Sequence, residues 1–158
     1  MIKDIMVYDE AHYFGDATGK TISLGGVITE MTESSNPAET EKQYIHQKSS
    51  VTKVTGYANE FPITMDMVQG DEVAEDFYQL FYTRATGSDL ERDHYIVNLW
   101  EKAEGENEFK ARKIRQTVSI TEATGGAGEQ KQISGSLRGG DFEYGTFNVS
   151  TKTFTAEV

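Results

Sequence analysis

The sequence contains no cysteine, which excludes a disulfide framework, thiolate catalysis and zinc–sulfur coordination. It has two prolines against fifteen glycines in 158 residues, a balance that suits strands joined by turns. No run approaches the ~18 consecutive apolar residues of a membrane-spanning helix. The opening "MIKDIMVYDEAHYF" has neither a basic leader nor an unbroken apolar stretch, so no signal peptide and no export by that route are expected. Cations are scarce as well: 15 Lys and Arg against 26 Asp and Glu give a net charge of −11. A chain that grips phosphates needs a basic surface. Only "KARKIRQ" (Lys110 to Gln116) thickens toward one, and it alternates like a solvated strand.

The length is that of one domain, residues 1–158. Hydrophobic residues make up 37% of the chain and aromatics 11%, enough aromatic content to argue against disorder. Most segments alternate with a period of two. "TISLGGVITEM" (Thr21 to Met31) reads as a long β-branched strand with a bulge at Gly25-Gly26. A polar stretch follows, with Asn-Pro at the centre of "TESSNPAETEK", and a loop is expected over about 32–49. Within it "QYIHQ" has some strand character. "SVTKVTGYA" and "EFPITMDM" then resemble a hairpin pair, with Phe61, Ile63, Met65 and Met67 in phase and Pro62 marking an edge strand or a strand start. "HYIVNLWE" (His94 to Glu101) is apolar in both phases, as in a central strand covered on both faces. "EGEN" turns the chain into "FKARKIRQTVSIT", and "GGAG" (125–128) is a flexible tip. In the tail, Phe142 and Tyr144 share one phase, Phe147 and Val149 the other, and Gly145 suggests a bulge.

One segment breaks the pattern. "DEVAEDFYQLFYTRA" has helical spacing, with Asp71 as cap and an end before Gly87, so a helix is expected over about 71–86. Val73, Phe77, Leu80 and Phe81 form an ordinary core stripe. Ala74, Tyr78, Tyr82 and Ala85 widen the apolar arc to roughly 200°, about twice that of a one-sided helix. Either the tyrosines pack on the same core with wet hydroxyls, or this flank meets another subunit. The fold class is mostly β (α+β): two packed sheets or a partly closed barrel flanked by one helix.

Catalytic patterns are missing. "GDATGKT" imitates a phosphate loop, but only three residues separate its glycines, Phe14 stands where the first glycine belongs, and the downstream segment is a strand, not a helix. A hairpin turn is the better reading. His12, His46 and His94 lie in different elements with no partner at metal-ligand spacing. "DLERD" crowds acids without a nucleophile beside them. No enzymatic activity, cofactor or metal is expected.

Taken in order, "QYIHQKSSVTKVTGYANEFPITMDMVQGDEVAEDFYQLFYTRA" and "QISGSLRGGDFEYGTFN" resemble bacteriophage major tail tube proteins, over about residues 41–155. The shared parts are a polar loop, a strand pair around "TGY", "GDEV" opening the helix, and a glycine-broken strand near the end. The resemblance implies a structural virion protein of the siphophage type, related in architecture to the inner tubes of contractile tails and type VI secretion systems. Six subunits would form a ring, and stacked rings a hollow tube through which DNA passes without specific binding. Its partners would be further copies of itself, the tape measure protein, the tail terminator and distal tail or baseplate proteins, with no membrane contact. It would sit in the virion tail after assembly in the host bacterial cytoplasm. Tyr78, Tyr82 and Ala85 on the helix, with Asn36, Pro37, Glu39 and Tyr44 in the loop, are then the expected subunit contacts. An acidic lumen would keep DNA from sticking, although acidity also simply maintains solubility. The competing class is a stand-alone β-sandwich or barrel binding a small ligand.

Overall fold

A computed structural model describes residues 2–157. The strands are β1 (Glu10–Gly15), β2 (Ile22–Leu24), β3 (Ile28–Met31), β4 (Pro37–Lys42), β5 (Val51–Tyr57), β6 (Glu60–Asp66), β7 (Glu91–Lys102), β8 (Glu108–Thr124), β9 (Gln132–Arg138), β10 (Phe142–Asn148) and β11 (Thr153–Ala156), with one helix, α1 (Glu72–Tyr82), between β6 and β7. Nine strands share one sheet along the path β2-β1-β7-β8-β9-β6-β3, with β10 and β11 branching from β8, while β4 and β5 form a sheet of their own.

The long β8 organises the sheet because it has different neighbours along its length. Its first half pairs with β10, from Glu108 opposite Asn148 to Ile114 opposite Phe142. Its second half pairs with β9, from Thr117 opposite Arg138 to Thr124 opposite Gln132. The chain passes from β9 to β10 through Gly139 and Gly140, both at positive φ. A Cβ on Gly140 would lie 2.2 Å from the Arg115 carbonyl oxygen, so the crossover needs glycine there for space as well as for conformation.

Three expectations of local structure give way here. "TISLGGVITEM" is not one bulged strand: β2 pairs with β1 and β3 with β6, at opposite edges of the sheet. Gly25 to Val27 carries the chain across, so three residues join the two edges of a rolled sheet that no ladder closes. "EFPITMDM" does not form a hairpin with "SVTKVTGYA" either. Its partners are β9 and β3, and β5 pairs with β4. Gly145 makes no bulge; the ladder is regular through it on both sides. It is small because a Cβ there would lie 2.0 Å from the Thr155 oxygen.

The phases expected of the strands hold. Phe61, Ile63 and Met65 are buried on one face of β6 and join Phe14, Ile96, Val118, Ile133 and Leu137 in the larger core cluster. Phe142 packs against that cluster, whereas Phe147 belongs to a second one on the other face, with Tyr13, Tyr95, Val97 and Ala111. The interior of β7 is therefore covered on both sides, but its far end is not, and Trp100 is 39% exposed.

Helix α1 lies on the larger cluster through Val73, Ala74 and Phe77. Asp71 caps it, accepting from the Ala74 N–H at 2.9 Å. It ends at Tyr82, four residues before the expected 86, because Thr83 Oγ1 and Arg84 Nη1 take up the last carbonyls, of Gln79 and Phe81. Arg84 then enters positive φ. Burying a side chain such as Phe77, in edge contact with Phe14 at 5.2 Å, contributes about 1.5–3 kcal/mol.

Candidate subunit interface

The polar stretch at 32–49 stands clear of the core, and part of it is strand. Pro37 to Lys42 pairs with Val51 to Tyr57 around a turn, making an arm that extends from the body. "QYIHQ" is that turn rather than a strand. Between residues 35 and 58 every residue but Gln47 and Gly56 is exposed. At the base, Ala58 N–H donates to the Ser35 carbonyl at 2.9 Å and Asn36 Nδ2 to the Ala58 carbonyl at 3.0 Å. Asn36 itself sits at positive φ, where a short amide side chain is tolerated. Pro37 faces Tyr57 across the ladder, and Glu39 faces Val54 beside a bulge. Tyr44 heads the turn, closed by Gln47 and stacked on His46. Ile45 is fully exposed and Tyr44, Val54 and Tyr57 are at least half exposed. An isolated two-stranded hairpin is marginally stable in water, and this one also shows apolar side chains to solvent.

The widened arc of α1 divides into two parts. Tyr78 packs at the rim of the larger cluster, and its hydroxyl accepts from Lys131 Nζ at 3.1 Å. Tyr82, one turn on, is 69% exposed, its ring 6.1 Å from that of Tyr78. Ala85 lines an open groove of about 510 Å³ with Leu80, Phe81, Arg84, Leu90 and Ile120. Tyr78 is thus the wet-hydroxyl core residue of one expectation, and Tyr82 with Ala85 the free flank of the other.

A third surface has the opposite character. On the face of β3-β6-β9-β8 away from α1, Thr64 lies opposite Ser134, Pro62 opposite Ser136, and Ser136 opposite Ser119. Thr117 continues the row, and Glu30, Asp66 and Glu122 stand among the hydroxyls. Arg138 and Arg115 are the arginines on or beside this face, and both are paired. Arg138 reaches Glu60 at 3.0 Å, and Arg115 reaches Asp93 at 3.2 Å and Glu91 at 3.7 Å.

The apparent phosphate loop is the β1–β2 hairpin turn. Asp16 Oδ1 accepts from the N–H groups of Thr18 and Lys20 and from the Thr18 hydroxyl. The Thr18 hydrogen bond is the main reason the Asp16 carboxyl is held below its usual range. The loop therefore presents a carboxylate where a phosphate site needs donors. Among the described residues no three His, Asp or Glu side chains converge as metal ligands, and no helix is long and apolar enough to cross a membrane.

No protein-family model matches the chain, and no curated protein does. Solved structures do. The SPP1 tail tube, determined by solid-state NMR and cryo-EM, superposes with a TM-score of 0.63 at 17% identity, covering 87% of this chain and 80% of that one. The tail of an empty GTA particle, refined with C6 helical symmetry, gives 0.60 at 12% identity, covering 97% and 100%. The 6-fold symmetrised baseplate of the anti-feeding prophage gives 0.56 at 7% identity, covering 91% and 97%. The fold is that of a tail tube.

Set on the tail-tube fold, the sequence-derived contact residues form two groups. Asn36, Pro37, Glu39 and Tyr44 belong to the arm, and Tyr78, Tyr82 and Ala85 to the helix. A further exposed apolar area had no counterpart in the sequence reading. Ile2, Ile5, Met6, Val7 and Tyr8 are all at least 48% exposed. With Leu24, Met31, Leu99 and Trp100, the segment from Ile5 to Tyr8 borders an open groove of about 920 Å³. The only sequence signal was a density of apolar residues in a segment too irregular to be strand or helix.

Proposed function

We propose that this chain is a structural subunit of a phage-type tail tube, forming rings of six that stack into a hollow tube through which DNA passes. The arm carries this conclusion. It buries almost nothing in its own subunit, exposes Tyr44, Ile45, Val54 and Tyr57, and, being marginally stable as a lone hairpin, gains from a partner surface packed on it. Stacked rings need one heterologous contact within the ring and a second between rings. The arm and the Tyr82–Ala85 flank are two separate apolar surfaces suited to those contacts. The likeness in fold to the SPP1 tail tube and to a C6-symmetric tail supports the same architecture.

The hydroxyl face of β3-β6-β9-β8 is the natural lumen wall. It offers phosphates no unpaired cation, and its acids repel a polyanion within about a Debye length of 8 Å. Pro62 is its one apolar contributor among the strand positions facing that way, so bases find no stacking platform. Tape measure, terminator and baseplate proteins are the partners that such a tube requires, and the virion tail is its place after assembly in the host cytoplasm. The role is structural rather than enzymatic.

Light scattering over a concentration series tests the proposal. The 17.6 kDa chain should pass to species of six subunits and then to multiples of six. A monomer at every concentration, alone or mixed with other tail proteins, would contradict it.

A further inference from the structure

Four polar side chains are linked across the sheet. Glu10 and His12 on β1, His94 on β7 and Gln116 on β8 form one chain across three neighbouring strands. Glu10 Oε1 lies 3.0 Å from His12 Nε2, His12 Nδ1 lies 2.9 Å from His94 Nε2, and His94 Nδ1 lies 2.9 Å from Gln116 Oε1. His94 and Gln116 are each 1% exposed. Phe14 stacks on the His94 ring at 4.6 Å, and Phe61 of β6 meets it edge-on at 5.2 Å. The ionisable groups on the surrounding elements are few. Arg112 on β8 is held by Glu33 through two bonds of 2.8 Å. Arg92 on β7 is held by Asp76 of α1 at 2.8 and 3.1 Å. Glu30 of β3 lines the same groove as Glu10 and His12.

Glu10 and the Gln116 carbonyl oxygen only accept, so His12 Nε2 and His94 Nδ1 must both carry hydrogen. The bond between the rings needs a third, making the pair a cation beside Glu10. Turning the Gln116 amide by about 180° makes its NH₂ the donor to His94 Nδ1. His94 Nε2 then donates to His12 Nδ1 and His12 Nε2 to Glu10. That arrangement is equally complete with two hydrogens on the rings, so the pair is neutral. Nothing on the far side of the amide favours one orientation, because Gln116 Nε2 is buried without a partner.

We propose that Glu10, His12, His94 and Gln116 form a binding site for a single proton, shared by the two imidazoles and switched by rotation of the Gln116 amide. The proton enters and leaves through His12, whose side chain is 16% exposed and lines the open groove. The His94 ring disfavours the extra charge. Burial, ahead of the His12 and Arg112 charges, holds His94 well below the ordinary histidine range. The hydrogen bond from His12 likewise holds the Glu10 carboxyl below its usual value. Uptake moves the His94 ring hydrogen from Nε2 to Nδ1, so one proton gained at the surface changes a tautomer in the core.

Ring-nitrogen NMR of histidine-labelled native protein tests this. As pH falls, His12 and His94 signals should move with one shared midpoint, and His94 should change from the Nε2–H to the Nδ1–H tautomer. Gln116→Glu, which supplies only acceptors at the end of the chain, should hold the Nδ1–H form to higher pH. Gln116→Leu should uncouple the two rings. A single His94 tautomer throughout the native titration would overturn the proposal, whether or not the variants fold.

Discussion

Phe77 and Tyr82 are five residues apart on one helix, about 140° around its axis, and aspartate should affect them in opposite ways. Phe77 is fully buried against Phe14. Removing its ring forfeits about 3–5 kcal/mol, and an unpaired carboxylate in its place adds several more. The sum matches the whole stability of an ordinary domain, about 5–15 kcal/mol, so Phe77→Asp should not fold. Tyr82 is 69% exposed and is the last residue of the helix. Aspartate there loses little packing and opposes the helix dipole by about 0.3–1 kcal/mol, so the isolated subunit should lose no more than about 1 kcal/mol. Tube growth should nevertheless stop, since every copy of the contact would bury the same charge. Tyr78→Asp should fall between, because its ring covers core and its hydroxyl is held by Lys131. Thermal unfolding of each variant, beside micrographs of the same samples, gives both numbers. A loss of stability for Tyr82→Asp equal to that for Phe77→Asp, or tubes that persist in the Tyr82→Asp variant, would refute the division of the helix into a core face and an assembly face.

Replacing residues 36–57 by a short glycine linker should leave the melting temperature nearly unchanged, as the arm buries so little, and should abolish polymerisation; an arm-less chain that still makes tubes would show that the arm is no assembly contact. Lys20→Ala should change no nucleotide affinity in calorimetry, because the loop is a hairpin turn organised by Asp16. Stability should also depend on pH through His94. Its folded-state pKa lies well below 6.5, so its contribution is complete above about pH 6.5, where the unfolded chain is also neutral. It is lost as pH falls toward the folded value, by up to about 1.4 kcal/mol per unit. Melting temperatures from pH 7.5 to 5 should fall in the native protein and fall less in His94→Gln.

What the sequence disclosed was local. Asp71 marked the helix start because a cap and its helix are three residues apart, and the phases of Phe61, Ile63, Met65, Phe142 and Phe147 followed from the strict period of two. The widened apolar arc of α1 was legible from its helical period, although only burial could separate Tyr78 from Tyr82. What it hid was pairing. Nothing local to "EFPITMDM" favours β9, some 70 residues away, over the adjacent β5. The arm looked like a loop because its residues are polar, whereas its strand character comes from the ladder between Pro37 and Tyr57. "TISLGGVITEM" looked continuous because β-branched residues lie on both sides of the glycines, and only the rolled sheet requires them to jump edges. The His12–His94 contact was invisible for a related reason: 82 residues separate two histidines that the pairing of β1 with β7 brings together.

Cryo-EM of the purified protein, concentrated without cofactor or nucleic acid, tests the central claim most directly. Hollow tubes of stacked six-fold rings are expected, with the arm on a neighbouring copy and Ser119, Ser134 and Thr64 facing the lumen. Particles that remain single subunits, or tubes whose lumen is lined by the helix or the arm, would contradict it.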